Sequence, residues 1–192
     1  MTQVFFAARR SRARKSTRWW LAGWVGLSCA LGLLVGCGPA LDWRQFQPDG
    51  WPLMLAMPCK PLDQQRRIDL AGTSVAMRML SCSADDHVFA VASADVGDPA
   101  RVAPALQALT DAARANVRAS VVGEQPAAVP GMTPQDHARR WRLRGQLPDA
   151  RPVAEQLQVF AHGTRVFQAS VIGPAADDAR AAPLFDALRI LP

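Results

Sequence analysis

The residues able to do chemistry in this chain are few: four cysteines, three histidines and one arginine-dense run, Arg139-Arg140-Trp141-Arg142-Leu143-Arg144. Read as a strand, the run places Arg140, Arg142 and Arg144 on one face and Trp141 and Leu143 on the other, because successive side chains of a strand point to opposite sides. Such a face could contact anionic lipid headgroups, an acidic partner or an anionic polymer. It could equally be a solvated outer face whose arginine stems cover apolar surface, with Glu155, Asp136 and Asp149 on hand to neutralise it.

Acid–base catalysis needs histidine or paired carboxylates converging in a cleft. His87 and His162 sit in turn sequences and His137 at a strand entrance, so each reads as a solvated loop residue. A three-histidine metal site would require the fold to gather them. No serine stands in a G-x-S-x-G context, and no glycine loop could cradle a phosphate. Asp85-Asp86 and Asp177-Asp178 read as turn and helix-start residues. The residues therefore name no catalytic group, no metal site and no cofactor.

Cys37 stands apart because of what precedes it. A basic stretch, Met1 to Arg18, is followed by eighteen residues without a charge, Trp19 to Gly36. This is the order of an export signal, with a positive segment kept inside and an apolar segment entering the bilayer. Eighteen apolar residues can also just span a membrane as a permanent anchor, so the cleavage signal decides between the two. Leu34-Val35-Gly36-Cys37 resembles the lipobox of bacterial lipoproteins: aliphatic, variable, small, cysteine. The resemblance implies a signal peptide over 1–36, cleavage before Cys37 and a diacylglyceryl group on its thiol. Cys29 fits less well, because Gly26 stands where the aliphatic residue belongs. Arg9-Arg10 lacks the closely following hydrophobic residues of a twin-arginine signal. With two or more acyl chains, at about 0.8 kcal/mol per buried methylene, attachment is stable. Gly38 rather than Asp after the modified cysteine implies the periplasmic leaflet of the outer membrane.

That location changes how the remaining residues are read. The chain carries a formal charge of +6, but Arg9, Arg10, Arg12, Arg14, Lys15 and Arg18 all precede Cys37, and no acidic residue precedes Asp42. Residues 37–192 are formally neutral, so the electrostatic footprint of a nucleic-acid binder is absent. In an oxidising compartment Cys59 and Cys82, the two thiols left in the mature chain, have one pairing open to them. That disulfide would close a loop of about 22 residues and stabilise the fold by roughly 3 kcal/mol. Neither cysteine lies in a C-x-x-C, and no histidine has the spacing of a zinc site.

Residues 37–50 read as a lipidated tether ending in the turn Pro48-Asp49-Gly50, with a short helical turn around Leu41 to Phe46. A single domain follows over 51–192. Trp51 to Met57 reads as a buried strand, Gln65 to Leu70 and Ser74 to Cys82 as a hairpin, and Val88 to Asp95 as a further strand. Asp98 and Pro99 cap a helix whose apolar stripe is Val102, Leu106, Leu109, Ala113 and Val117, ending near Ala119. After a loop containing Pro130-Gly131, Ala138 to Arg144 alternates. Glu155 to Ala161 and Arg165 to Ile172 form a hairpin around His162-Gly163. Asp177 to Leu188 is a second helix, weakened by Pro183, with Leu184, Phe185 and Leu188 inward.

Strands, a helix, more strands and a closing helix predict an α+β fold, an antiparallel sheet covered by helices. The succession WPLMLAMPCKP from Trp51, FAVASAD from Phe89, the helix, RWRLRG from Arg140, RVFQASVIGP from Arg165 and FDALRIL from Phe185 resembles the PsbP-like α/β/α sandwich. Pro183 departs from that pattern. Members of that fold class mostly bind other proteins and many bacterial ones have no assigned role, so the resemblance implies a binding domain and carries no site residue with it. The expectation is an outer-membrane-anchored lipoprotein that binds or supports another envelope component. The alternative is an envelope enzyme or small-ligand carrier using the concave sheet face or the Arg140/Arg142/Arg144 strand.

Overall fold

Alternation along the strands builds the centre of the molecule, whose computed structural model describes residues 41–175 and 178–192. The expected signal segment 1–36, Cys37 and the expected helix-start residue Asp177 lie outside the described residues. In β5 (His87–Asp95) Phe89 and Val91 are buried on one side of the sheet and Ala94 on the other. In β9 (Arg165–Gly173) Phe167, Ala169 and Val171 face one side while Val166 faces the opposite one. Strands with two apolar faces must be covered twice.

Seven strands form the antiparallel sheet. They are β3 (Leu62–Leu70), β4 (Thr73–Ala84), β5, β6 (Ser120–Pro126), β7 (Arg139–Gln146), β8 (Pro152–His162) and β9, in the order β3-β4-β5-β9-β8-β7-β6. Helix α1 (Val102–Asn116) covers one face. Its stripe Val102, Leu106, Leu109 and Ala113 packs on Val75, Ala94, Leu143, Leu157, Val159 and Val166. Asp98 accepts the backbone N–H of Ala100, and Pro99 opens a 3₁₀ turn that runs into the helix. The helix stops at Asn116 rather than near Ala119, because Arg118 takes a left-handed conformation (φ 46°) that reverses the chain.

The opposite face carries helix α2 (Asp178–Ala187) together with a second, three-stranded sheet of β1 (Arg44–Phe46), β2 (Leu53–Met57) and β10 (Arg189–Ile190), ordered β1-β2-β10. Leu53, Leu55 and Met57 of β2 join Leu184, Phe185 and Leu188 over Phe89, Phe160 and Phe167. Pro183 lies inside α2, whose Ala181 and Leu184 are fully buried around it. The expected antiparallel sheet with helical cover on both sides is present.

Three local expectations give way. The segment Leu41 to Phe46 is not a helical turn, and 41–50 is not a free tether. Arg44 to Phe46 pairs antiparallel with Leu55 to Met57, the Asp42 N–H donates to the Pro58 carbonyl, and Trp43 packs edge-on against Phe89 at 5.4 Å. Burial of Trp43 and Phe46 together with backbone pairing outweighs local propensity. The loop expected between α1 and β7 contains β6, which pairs with Arg139 to Arg144 of β7 with a bulge between Val121 and Gly123. The disulfide Cys59–Cys82 is formed, with Cα atoms 6.0 Å apart. It joins the end of β2 to β4, and so ties the small sheet to the large one.

Candidate functional site

Strand β7 places its arginines by simple alternation. Arg140, Arg142 and Arg144 lie opposite Gln158, Gln156 and Ala154 of β8, on the side covered by α2. Trp141 and Leu143 lie on the α1 side, where Leu143 is buried and Trp141 packs against the same apolar cluster. The arginine row and the apolar row are thus separated by the sheet itself.

Arg140 is held on two sides. Its guanidinium stands 4.2 Å over the ring of Phe185 from α2, and its Nη2 donates to Gln156 Oε1 at 2.8 Å. Gln156 is itself buried to 1% exposure. A cation over an aromatic face and a charge-assisted hydrogen bond both fix the plane of the guanidinium. Arg142 reaches across toward β6, where its register partner is Gly123. A Cβ added at Gly123 would lie 2.7 Å from Arg142 Nε and 2.9 Å from Nη2. The bare glycine is therefore what lets the guanidinium lie flat on that strand.

These groups enclose a cavity of about 280 Å³ lined by Gly123, Glu124, Gln125, Arg140, Arg142, Gln156 and Ala182. Glu124 contributes backbone: its register partner is Trp141, on the α1 side, and its carboxylate pairs with Arg139 at 3.3 Å. A second hollow of about 760 Å³ shares Arg142 as a wall and runs past Arg144 to Pro174 and Ala175. Behind Arg140, the buried Gln158 keeps an amide Nε2 with no partner among the described residues.

The acidic residues expected to neutralise the row are elsewhere. Glu155 pairs in register with Leu143 and Ile172, on the α1 side. Residues 155 and 156 are adjacent, and alternation sends them to opposite faces. Glu155 is 3% exposed with Oε2 unpartnered among the described residues, and burial pushes its carboxyl up to about 7. Asp149 is held by Arg151, through its side chain at 2.6 Å and its backbone N–H at 3.2 Å, which lowers its pKa. Asp136 is exposed in the loop before β7.

The histidines do not converge. His162 ends β8 beside Arg165 and Asp95, whereas His87 opens β5 at the opposite end of the sheet, roughly 25 Å away along the strands. His137 lies two residues before β7, exposed. His87 is not a solvated turn residue. It is 4% exposed, its ring lies on Gly173, and its nitrogens face the carbonyls of Asp85 (2.6 Å) and Ala175 (3.0 Å). The Asp85-Asp86 turn reads correctly as a turn, with both residues in the left-handed region. Asp85 also pairs with Arg180 of α2. Among the described residues no three His, Cys, Asp or Glu side chains are grouped to hold a metal, and no helix is long and apolar enough to cross a membrane.

No protein-family model matches this sequence, and no curated protein matches it. Among solved structures, the solution structure of cyanobacterial PsbP (CyanoP) from Synechocystis is similar over 83% of this chain and 98% of that one, with 12% sequence identity and a TM-score of 0.39.

What the arrangement can do chemically follows from its groups. Two guanidiniums and primary amides donate hydrogen bonds and attract negative charge. None of them is a nucleophile or a proton shuttle near neutral pH. Sequence reasoning found the arginine face. It missed Gln156 and Gly123, and that the inward-facing Phe185 meets Arg140, because these roles depend on which strand and helix lie alongside; the glycine in the β6 segment was the available hint.

Proposed function

We propose that this chain is a bacterial lipoprotein anchored through Cys37 in the periplasmic leaflet of the outer membrane. Its PsbP-like sandwich binds another envelope component without catalysing a reaction. The observation that carries this reading is the chemistry of the cavity, where Arg140, Arg142 and Gln156 bring hydrogen-bond donors together and, among the described residues, no nucleophile faces them. The lipobox Leu34-Val35-Gly36-Cys37 supports the anchor, and the charge balance after Cys37 argues against nucleic acid as the partner. The succession of apolar strand and helix segments from Trp51 to Leu191 is what supports the PsbP-like assignment.

Chemical crosslinking of intact envelopes, followed by recovery of the full chain, tests both halves. Wild-type protein sediments with outer membrane and repeatedly captures the same component, and Cys37→Ser abolishes lipid attachment and processing. Processing at the same bond together with envelope sedimentation in Cys37→Ser overturns the anchor. Repeated recovery of no component overturns the binding role. The reading as a small-ligand carrier has one observation in its favour, the cavity between Arg140 and Arg142, which is large enough for a ligand headgroup.

A further inference from the structure

Of the polar features in the described residues, the cavity between β6, β7, β8 and α2 brings two arginines and a glutamine together. We propose that it receives a phosphoryl group, held by Arg140, Arg142 and the amide of Gln156. This inference rests on the binding role given above and names its ligand.

The geometry favours phosphoryl over carboxylate. Arg140 and Arg142 leave one strand face about 7 Å apart at their origins. Phe185 of α2 and Gln156 of β8 fix the first, and the second is laid along β6 by the missing Cβ of Gly123. Donors therefore approach from at least two directions. A planar carboxylate is satisfied by one guanidinium fork, whereas the tetrahedral phosphoryl group presents oxygens to several donors at once.

Size narrows the class further. A cavity of about 280 Å³ holds a headgroup but not a whole organic ligand. The hollow of about 760 Å³ beyond Arg142, edged by Arg144, gives the attached group its space. The fitting ligand is thus a phosphate ester, either a soluble one or a lipid headgroup, rather than free phosphate. Arg140, Arg142 and Gln156 also interact with other groups of the protein, so ligand oxygens exchange for those contacts and the affinity is moderate.

Calorimetric titration of the full chain in neutral detergent provides the test, with glycerol 3-phosphate, inorganic phosphate, acetate and short-chain phosphatidylglycerol as probes. Glycerol 3-phosphate binds more tightly than inorganic phosphate, and acetate more weakly than either. Arg142→Gln weakens the ester about tenfold, the loss of one charge-assisted contact. Gly123→Ala does the same while keeping the melting temperature, since its Cβ displaces only a flexible guanidinium. Arg101→Gln, on an exposed ion pair beside α1, changes nothing. Tighter binding of phosphatidylglycerol assigns the lipid as source, and equal binding assigns the soluble ester.

The proposal fails if neither phosphate binds, if acetate binds as tightly, or if Arg142→Gln and Gly123→Ala leave the affinity unchanged. A partner captured in the crosslinking experiment regardless of these variants would leave the binding role standing and remove only the ligand.

Discussion

The two faces of the seven-stranded sheet are covered in different ways. Under α1 the sheet is sealed by one helix laying an apolar stripe on Leu143, Leu157, Val159 and Val166. Within that layer Glu155 is left with an unpartnered oxygen. On the other side the cover is assembled from α2 and a separate small sheet, and the Arg140–Arg142–Arg144 row, Gln156 and a cavity lie beside it. Glu155 and Gln156 are chain neighbours with opposite fates. Gln156 is as buried as Glu155, yet it accepts a hydrogen bond from a fixed arginine. Buried polar atoms without a partner among the described residues occur on both faces, Glu155 Oε2 and Trp141 Nε1 under α1 and Ser93 Oγ and Gln158 Nε2 opposite, so what sets the composite cover apart is the gap that arginine side chains line.

If the composite face depends on its covalent tie, breaking that tie has the largest effect. Cys59→Ser with Cys82→Ser detaches β2 from β4 and lowers unfolding free energy by roughly 2–5 kcal/mol, read in urea melts. Retention of full stability would mean that apolar packing alone holds the small sheet.

The α1 face predicts a pH dependence of its own. Folded Glu155 keeps its proton to about 7, whereas the unfolded group ionises near 4.5. The folded state thus binds the extra proton between those values, and stability falls as pH rises from about 4.5 to 7, by about 3 kcal/mol in all. Glu155→Gln flattens this slope. Asp95, whose pKa is lowered by the Thr164 hydroxyl and then by the Gly97 N–H, works in the other direction. Its stability is lost only as pH falls below the usual carboxylate range, so the two windows are separable. Melts at pH 5, 6, 7 and 8 that coincide for wild type and variant would remove the contrast between the faces.

Arg140→Ala gives the smallest change, a loss of about 1–2 kcal/mol from the hydrogen bond to Gln156 and the contact with Phe185. Thermal melts beside Arg144→Ala, which is expected to be neutral because Arg144 is exposed, check it. Equal effects would mean that Arg140 is no better fixed than its neighbour.

Much of the fold could be read in the chain because its central elements obey a period. The α1 stripe, the β4, β5, β8 and β9 strands and the alternation of β7 all rest on apolar residues at steps that only one secondary structure satisfies. The misreadings share a cause. Strand β6 is exposed at nearly every residue, and it exists because the free edge of β7 supplies backbone partners. Strand β1 exists because β2 has an edge to pair. His87 looks like a turn residue beside Asp85-Asp86, and it is buried because the chain before α2 passes over it and offers the Ala175 carbonyl.

By itself the sequence determined the charge balance, the basic-then-apolar order before Cys37, and which face of β7 holds arginine. Each is a matter of composition, order or local periodicity. Only the tertiary structure decided that Gln156 and Phe185 meet Arg140, that Gly123 makes room for Arg142, and that Glu155 is sealed away from all of them. Contacts between residues far apart in the chain depend on strand order and on what covers each face, and no local pattern encodes either.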